Sequence, residues 1–79
     1  MVKFISIDQT ITNFTVIAKN TDKFSKLEDL LYEKYPKYKD TDNYFISNGK
    51  ILMKDKTLEE NKIKNNDILT LSINEFINY

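Results

Sequence analysis

Runs of β-branched and alternating apolar residues mark three strands along the chain. They cover residues 2–7, 14–18 and 68–73, and a short polar connection over residues 8–13 joins the first two as a hairpin. The period of two in a strand places alternate side chains on one face. We expect Phe4 to point into the core, and an outward Phe4 would mean that Ile5 and Ile7 are the inward pair instead.

A helical period follows the hairpin. Apolar residues recur three and four positions apart at Phe24, Leu27, Leu30, Leu31 and Tyr35, with charges between them.

Two capping arrangements suit the start of this helix, and a proline marks its end. We favour Asp22 as the N-cap, and the alternative is a capping box formed by Ser25 and Glu28, which would leave Phe24 outside the helix. Pro36 follows and disfavours helical geometry in the residue before it, so the helix should end near Lys34.

The second half of the chain begins with a tight hairpin. Asn48 and Gly49 lie between the apolar segments 44–47 and 51–53, and both positions of such a turn favour positive φ. Thr57 and Glu60 fit a capping box that opens one short helical turn.

The order hairpin, helix, hairpin, helical turn and strand predicts an α+β fold of the β-grasp type. One helix of about three turns cannot bury itself alone, so it must pack across a mixed sheet of four or five strands. We expect the first and last strands to pair in the middle of that sheet. The predicted core consists of Val2, Phe4, Phe14, Val16, Phe24, Leu27, Leu31, Phe45, Leu52, Leu58, Ile63, Leu69 and Leu71.

Composition limits the classes of function. Seventy-nine residues allow a single domain, and twelve basic residues balance twelve acidic ones. All the basic residues are lysine, whereas nucleic-acid binding favours arginine and a net positive charge, so nucleic acid is not an expected partner. No apolar run is long enough to span a membrane, and because polar residues interrupt the first apolar positions we expect no signal peptide. The absence of cysteine fits a cytoplasmic or nuclear protein.

The chain lacks the side chains on which most enzymes depend. Without histidine, cysteine or arginine it has neither the usual general base, nor a thiol nucleophile, nor the common zinc ligands. Asp40 and Asp42 are too few for a calcium loop, and no glycine-rich phosphate loop is present. We therefore expect no catalysis, no metal and no cofactor.

Three segments of the second half resemble ubiquitin. They are residues 46–52 (Ile-Ser-Asn-Gly-Lys-Ile-Leu), 56–63 (Lys-Thr-Leu-Glu-Glu-Asn-Lys-Ile) and 67–71 (Asp-Ile-Leu-Thr-Leu), with Lys62 where the family has asparagine. The first half matches in pattern rather than identity. The resemblance implies a ubiquitin-like domain over residues 1–73 and a tail over residues 74–79.

The resemblance also implies a protein-binding face on the sheet. Its expected residues are Ile46 at the centre, Gly49, Lys50, Ile51, Thr70 and Ser72 around it, and Ile5 as a second patch. Alternation supports this, because Ile46, Thr70 and Ser72 turn to solvent if their neighbours face the helix. The alternative is that Ile46 and Ile51 are isolated surface residues, which are common.

The chain departs from ubiquitin around this face. Asp8 or Gln9, together with Ser72, replaces the apolar companions of the central isoleucine, and Tyr44, Thr70 and Asn74 stand where ubiquitin has basic side chains. We therefore expect proteins that bind ubiquitin to bind this chain weakly or not at all.

The tail also departs, because it lacks the Gly-Gly with which conjugated family members end. The expected function is thus a monomeric protein-interaction domain of a longer protein, recognised by ubiquitin-fold receptors or by processing or conjugation machinery. The alternatives are a covalent modifier released from a precursor, for example by an intein-like autoprocessing domain, and a PB1-like oligomerisation module that pairs Asp40 and Asp42 with Lys3.

Overall fold

The computed structural model describes residues 1–74, which form one helix packed on a five-stranded mixed sheet. The elements are β1 (Val2–Ser6), β2 (Phe14–Val16), α1 (Phe24–Lys34), a 3₁₀ turn (Pro36–Tyr38), β3 (Asn43–Ser47), β4 (Lys50–Ile51) and β5 (Ile68–Ile73). The predicted α+β class and the β-grasp-like arrangement are confirmed.

The strand order in the sheet is β2-β1-β5-β3-β4. The strands nearest the two ends of the chain, β1 and β5, lie side by side in parallel at the centre, as predicted. The β1–β2, β3–β5 and β3–β4 pairs are antiparallel. Both hairpins therefore lie at the edges, with β2 on one side and β4 on the other.

The core lies between α1 and one face of the sheet. Phe4, Phe24 and Phe45 are fully buried, and the ring centroids of Phe24 and Phe45 are 4.9 Å apart. This buried Phe4 confirms the predicted register of β1. The other predicted core residues are also buried, except Phe14, which is partly exposed and packs its ring edge-on against Tyr35.

Two buried residues, Ile11 and Tyr38, were not predicted to belong to the core. Ile11 lies in the polar connection after β1, and Tyr38 in the loop after α1. The hydroxyl of Tyr38 donates to Asp8, and the backbone N–H of Ile11 donates to the hydroxyl of Ser6, so both residues are held at the end of β1.

The predicted caps of α1 are wrong. The N-cap position is Lys23, which makes no side-chain capping bond, and Asp22 instead accepts a hydrogen bond from the backbone N–H of Lys19. Backbone carbonyls from the loop after β4 take the place of a capping side chain, because the N–H groups of Phe24 and Ser25 donate to them. The helix does end at Lys34, as predicted.

Two turns form as the sequence predicts. Asn48 and Gly49 have φ values of 53° and 76°. The Thr57 hydroxyl accepts from the N–H of Glu60, and the Glu60 carboxylate accepts from the N–H of Thr57, which completes the capping box. The second strand of this hairpin, β4, covers Lys50–Ile51. It is one residue shorter than the predicted segment 51–53 and begins one residue earlier.

Candidate protein-binding face of the sheet

The outer face of the sheet, opposite α1, carries a row of side chains that crosses four strands. Ile5 of β1 pairs with Thr70 of β5, Thr70 lies opposite Ile46 of β3, and Ile46 lies opposite Ile51 of β4. Directly paired residues share a face, so the four side chains stand side by side. We call this set the isoleucine row.

Burial confirms that the row faces away from the core. Phe45 is fully buried next to Ile46 in the chain, and Leu69 and Leu71 are buried on either side of Thr70. Ile51 is 67% exposed at one end of the row. The structure thus brings Ile5, Ile46, Ile51 and Thr70 together, as the sequence predicts.

Further apolar residues extend the isoleucine row on both sides. Ile68 is 48% exposed and pairs with Lys3, and Ile7 is 62% exposed just beyond β1. Lys3 is the only charged residue among the paired positions of this outer face within residues 1–74. An apolar surface of this kind is typical of a protein-interaction site.

Two predicted members do not contribute exposed surface to this face. Ser72 is only 8% exposed, so its predicted exposure is wrong: it is a small side chain in a central strand, directly opposite the larger Tyr44. Lys50 pairs with Ser47, whose side chain is buried on the helix side, so Lys50 lies at the sheet edge on the face opposite Ile46. Gly49 is exposed at the tip of the hairpin.

A cleft of about 210 Å³ opens at one end of the face, lined by Ile7, Asp8, Leu71, Ser72 and Ile73. Asp8 is fixed at its rim. Its carboxylate accepts hydrogen bonds from the hydroxyls of Ser6 (2.6 Å) and Tyr38 (2.8 Å) and forms an ion pair with Lys37 (3.2 Å).

These contacts hold the pKa of Asp8 well below its usual range, and the bond from the Ser6 hydroxyl is the largest cause. The carboxylate is therefore charged at neutral pH, close to the isoleucine row. In the sequence, Asp8 stands out only as a departure from ubiquitin. No spacing in the sequence connects it with Tyr38, thirty positions away.

The acidic loop that contains Asp40 and Asp42, which the PB1-like alternative would use for pairing, contacts the end of β5 in the same chain. The carboxylate of Asp42 accepts a hydrogen bond from the side-chain amide of Asn74, at 3.2 Å. Lys3 lies on the outer face, between Ile68 and Thr15. The tail beyond Asn74, which bears on conjugation, lies outside the described residues.

The described part of the chain contains no cluster of three or more side chains suited to a metal ion. Over the same residues, no helix has the length and apolar character needed to cross a membrane.

Comparison with known proteins adds no family assignment. No protein-family model matches the chain, and a search of curated proteins finds no significant match.

Proposed function

We propose that this chain is a ubiquitin-like protein-interaction domain with no catalytic role, and that it binds its partner through the isoleucine row. The observation that carries the proposal is the row of three isoleucines and Thr70 across four strands, which lies outside the core. Its side chains make no contribution to the packing beneath α1, so a partner that covers them removes apolar surface from water.

The chemistry of the face indicates what kind of segment binds it. The isoleucine row is mainly apolar, and Lys3 is the one charged residue among the strand-paired positions of the outer face within residues 1–74. Such a face suits a partner helix or loop that presents apolar side chains. Because the contact is mainly apolar, its affinity should change little with salt, whereas a charge-dominated contact would weaken.

The rim of the face supports selectivity against proteins that bind ubiquitin. Asp8 is held charged at the rim, and Ser72 is buried opposite Tyr44, so the apolar companions found in ubiquitin are replaced by a carboxylate and a buried serine. A partner that places an apolar side chain against Asp8 must bury that charge or leave a gap. Generic ubiquitin-binding helices should therefore bind weakly, and tight binding would contradict this part of the proposal.

Charge substitution in the row tests the proposed function. Helix-forming peptides would be selected from a display library against the folded domain, and their affinities measured by calorimetry for the wild type and for Ile46→Lys. We expect at least a roughly tenfold loss of affinity in the variant, because a lysine replaces a central apolar contact.

Leu30→Lys is the matched control. Leu30 is 41% exposed on α1, on the other side of the sheet, so the same change of chemistry there should leave affinity unaltered. Equal affinity of Ile46→Lys and wild type, with both folded by circular dichroism, would show that the isoleucine row is not the binding site.

A further inference from the structure

The tip of the β3–β4 hairpin is open to water on all sides. Asn48 and Gly49 are both exposed, and a Cβ added to Gly49 would meet no atom within 4 Å. Gly49 is also the only glycine of the chain, so Asn48 is the one asparagine whose following residue has no side chain. The absence of a Cβ lets other groups approach the backbone of Gly49 closely.

The backbone nitrogen of Gly49 has no competing partner. Within residues 1–74 its N–H donates to no backbone carbonyl. Asn66 provides a comparison inside the same chain, because it is exposed and has a φ of 72°, similar to the 53° of Asn48. The residue after it is Asp67, whose N–H donates to the carbonyl of Lys64 at 3.1 Å. The two asparagines thus share a backbone conformation, but only Asn48 precedes a free and unhindered nitrogen.

The side-chain amide of Asn48 is loosely held. Its nitrogen donates to the carboxylate of Asp67 at 3.4 Å, which is long for a hydrogen bond. The amide of Asn43, by contrast, is buried and donates to the hydroxyl of Tyr32 and the carbonyl of Tyr38, each at 2.8 Å. The Asn48 side chain is therefore free to turn toward the nitrogen of Gly49.

We propose that Asn48 is a site of spontaneous deamidation. The backbone nitrogen of Gly49 gives up its proton and attacks Cγ of Asn48, and the bond from Cγ to the side-chain amide breaks, so that ammonia leaves and a cyclic succinimide remains. Water then cleaves one of the two C–N bonds of the ring. Cleavage at the side-chain carbonyl gives aspartate, and cleavage at the backbone carbonyl gives isoaspartate, which adds one carbon to the main chain.

The short edge strand lets this reaction proceed in the folded protein. Ring closure requires rotation about the backbone of Asn48, which the closed hairpin turn opposes. β4 is only two residues long and is held to β3 by the pairs of Ile46 with Ile51 and Ser47 with Lys50. Local opening of such a short segment costs much less than global unfolding.

Both products weaken the hairpin at the β4 end of the isoleucine row. In the aspartate product, a new carboxylate stands where the amide now donates to Asp67, so two negative charges face each other. In the isoaspartate product, the extra carbon lengthens the turn that sets the pairing of Ile46 with Ile51. This chemistry belongs to the turn itself and does not depend on the proposed function.

Peptide mapping by mass spectrometry of the folded protein, incubated at neutral and mildly alkaline pH, tests the site. The amide-to-carboxyl change should accumulate at Asn48 at least roughly tenfold faster than at Asn66, and its rate should rise with pH because the attacking nitrogen must lose a proton. Fragmentation of the peptide distinguishes aspartate from isoaspartate, and both should form.

Gly49→Ala separates the hindered nitrogen from simple opening of the turn. This variant has a less stable turn, so opening alone would make deamidation faster. A methyl group beside the attacking nitrogen should instead make it slower than in the wild type.

Hydrogen exchange of single amides gives the structural readout. The N–H of Leu52 donates to the carbonyl of Phe45 at 2.8 Å, and its exchange should become faster in the deamidated protein. The N–H of Ile7, which donates to Leu71 at 3.0 Å, is the control and should exchange as before. Asn48→Asp should show a smaller change at Leu52, since it adds the charge without the extra carbon.

Four results would each overturn the inference, whatever the role of the isoleucine row. They are an unmodified Asn48, a rate at Asn48 no greater than at Asn66, faster deamidation in Gly49→Ala than in the wild type, and unchanged exchange at Leu52 in the deamidated protein.

Discussion

At the scale of single residues, Asp8 has the most elaborate set of polar contacts at the edge of the candidate face. It joins Ser6 at the end of β1 to Tyr38 in the 3₁₀ turn, and Lys37 completes the cluster. The bond to Asp8 also raises the pKa of Lys37. One carboxylate thereby fastens the β1–β2 connection to the loop that follows α1.

This cluster predicts how stability depends on pH. The pKa of Asp8 is lower in the folded state than in the unfolded chain, so its ionised form stabilises the fold above the unfolded pKa of about 4, and that contribution is lost as pH falls. Asp8→Asn should be less stable than wild type at pH 7, and the difference should shrink below about pH 4. Urea denaturation at a series of pH values measures it.

Asp55→Asn is the control for this prediction. Asp55 is exposed and takes part in none of the ion pairs within residues 1–74, so its substitution should change stability little at pH 7. A difference between wild type and Asp8→Asn that stays constant down to pH 2 would contradict the role given to the carboxylate.

Individual side chains were the hardest feature to predict from the sequence. Tyr38 and Ile11 are buried, yet each lies in a polar segment without periodicity, and the hydroxyl of Tyr38 bonds to Asp8, thirty positions away. Asp22 has the residue type of an N-cap, but its carboxylate bonds to Lys19 because loop carbonyls already satisfy the start of α1. Tertiary contacts decide such positions, and local patterns do not contain them.

At the scale of elements, a buried polar network fastens α1 to the sheet. Glu28 of α1 is 8% exposed and forms an ion pair with Lys54 at 2.9 Å. The hydroxyl of Tyr32 donates to Glu28 and accepts from the side-chain amide of Asn43 on β3. Burial, followed by the bond to Glu28, raises the pKa of Tyr32. The Glu28 carboxylate thus has both an ion-pair partner and a hydrogen-bond donor, as a buried charge requires.

The β3–β4 hairpin supplies a prediction at this scale. Gly49 has a φ of 76°, and a Cβ added there would meet no atom within 4 Å, so a substitution is disfavoured by backbone conformation alone. Gly49→Ala should lower the free energy of unfolding by about 1 kcal/mol, and Gly49→Asn by less, because asparagine tolerates this region better. Denaturant midpoints compare them, and equal losses in the two variants would contradict the conformational explanation.

Elements were predicted better than single residues because each has a local signal. The period of two, the helical period and the Asn-Gly turn identified every strand, α1 and the hairpin, with boundaries displaced by no more than two residues. The boundaries moved because pairing decides where a strand ends. β2, for example, stops at Val16, where its pairing with β1 ends.

At the scale of the whole molecule, strand register creates the candidate face. Alternation alone predicted which side of each strand is outward, and the parallel β1–β5 pair then aligns Ile5 with Thr70 and Ile46. The sequence could not separate Lys50 from this face or show that Ser72 is covered, because both depend on pairing across strands. The core and the face are thus two sides of the same five strands.

The most direct test of the binding face is a residue-by-residue map of contact in solution. The amide spectrum of the isotope-labelled domain would be recorded while a selected helical peptide is added. The account predicts that the largest shifts fall together on Ile5, Ile46, Ile51 and Thr70, with Phe24 and Leu30 of α1 unchanged. Shifts concentrated on α1 or on the β2 edge, with the isoleucine row unaffected, would contradict it.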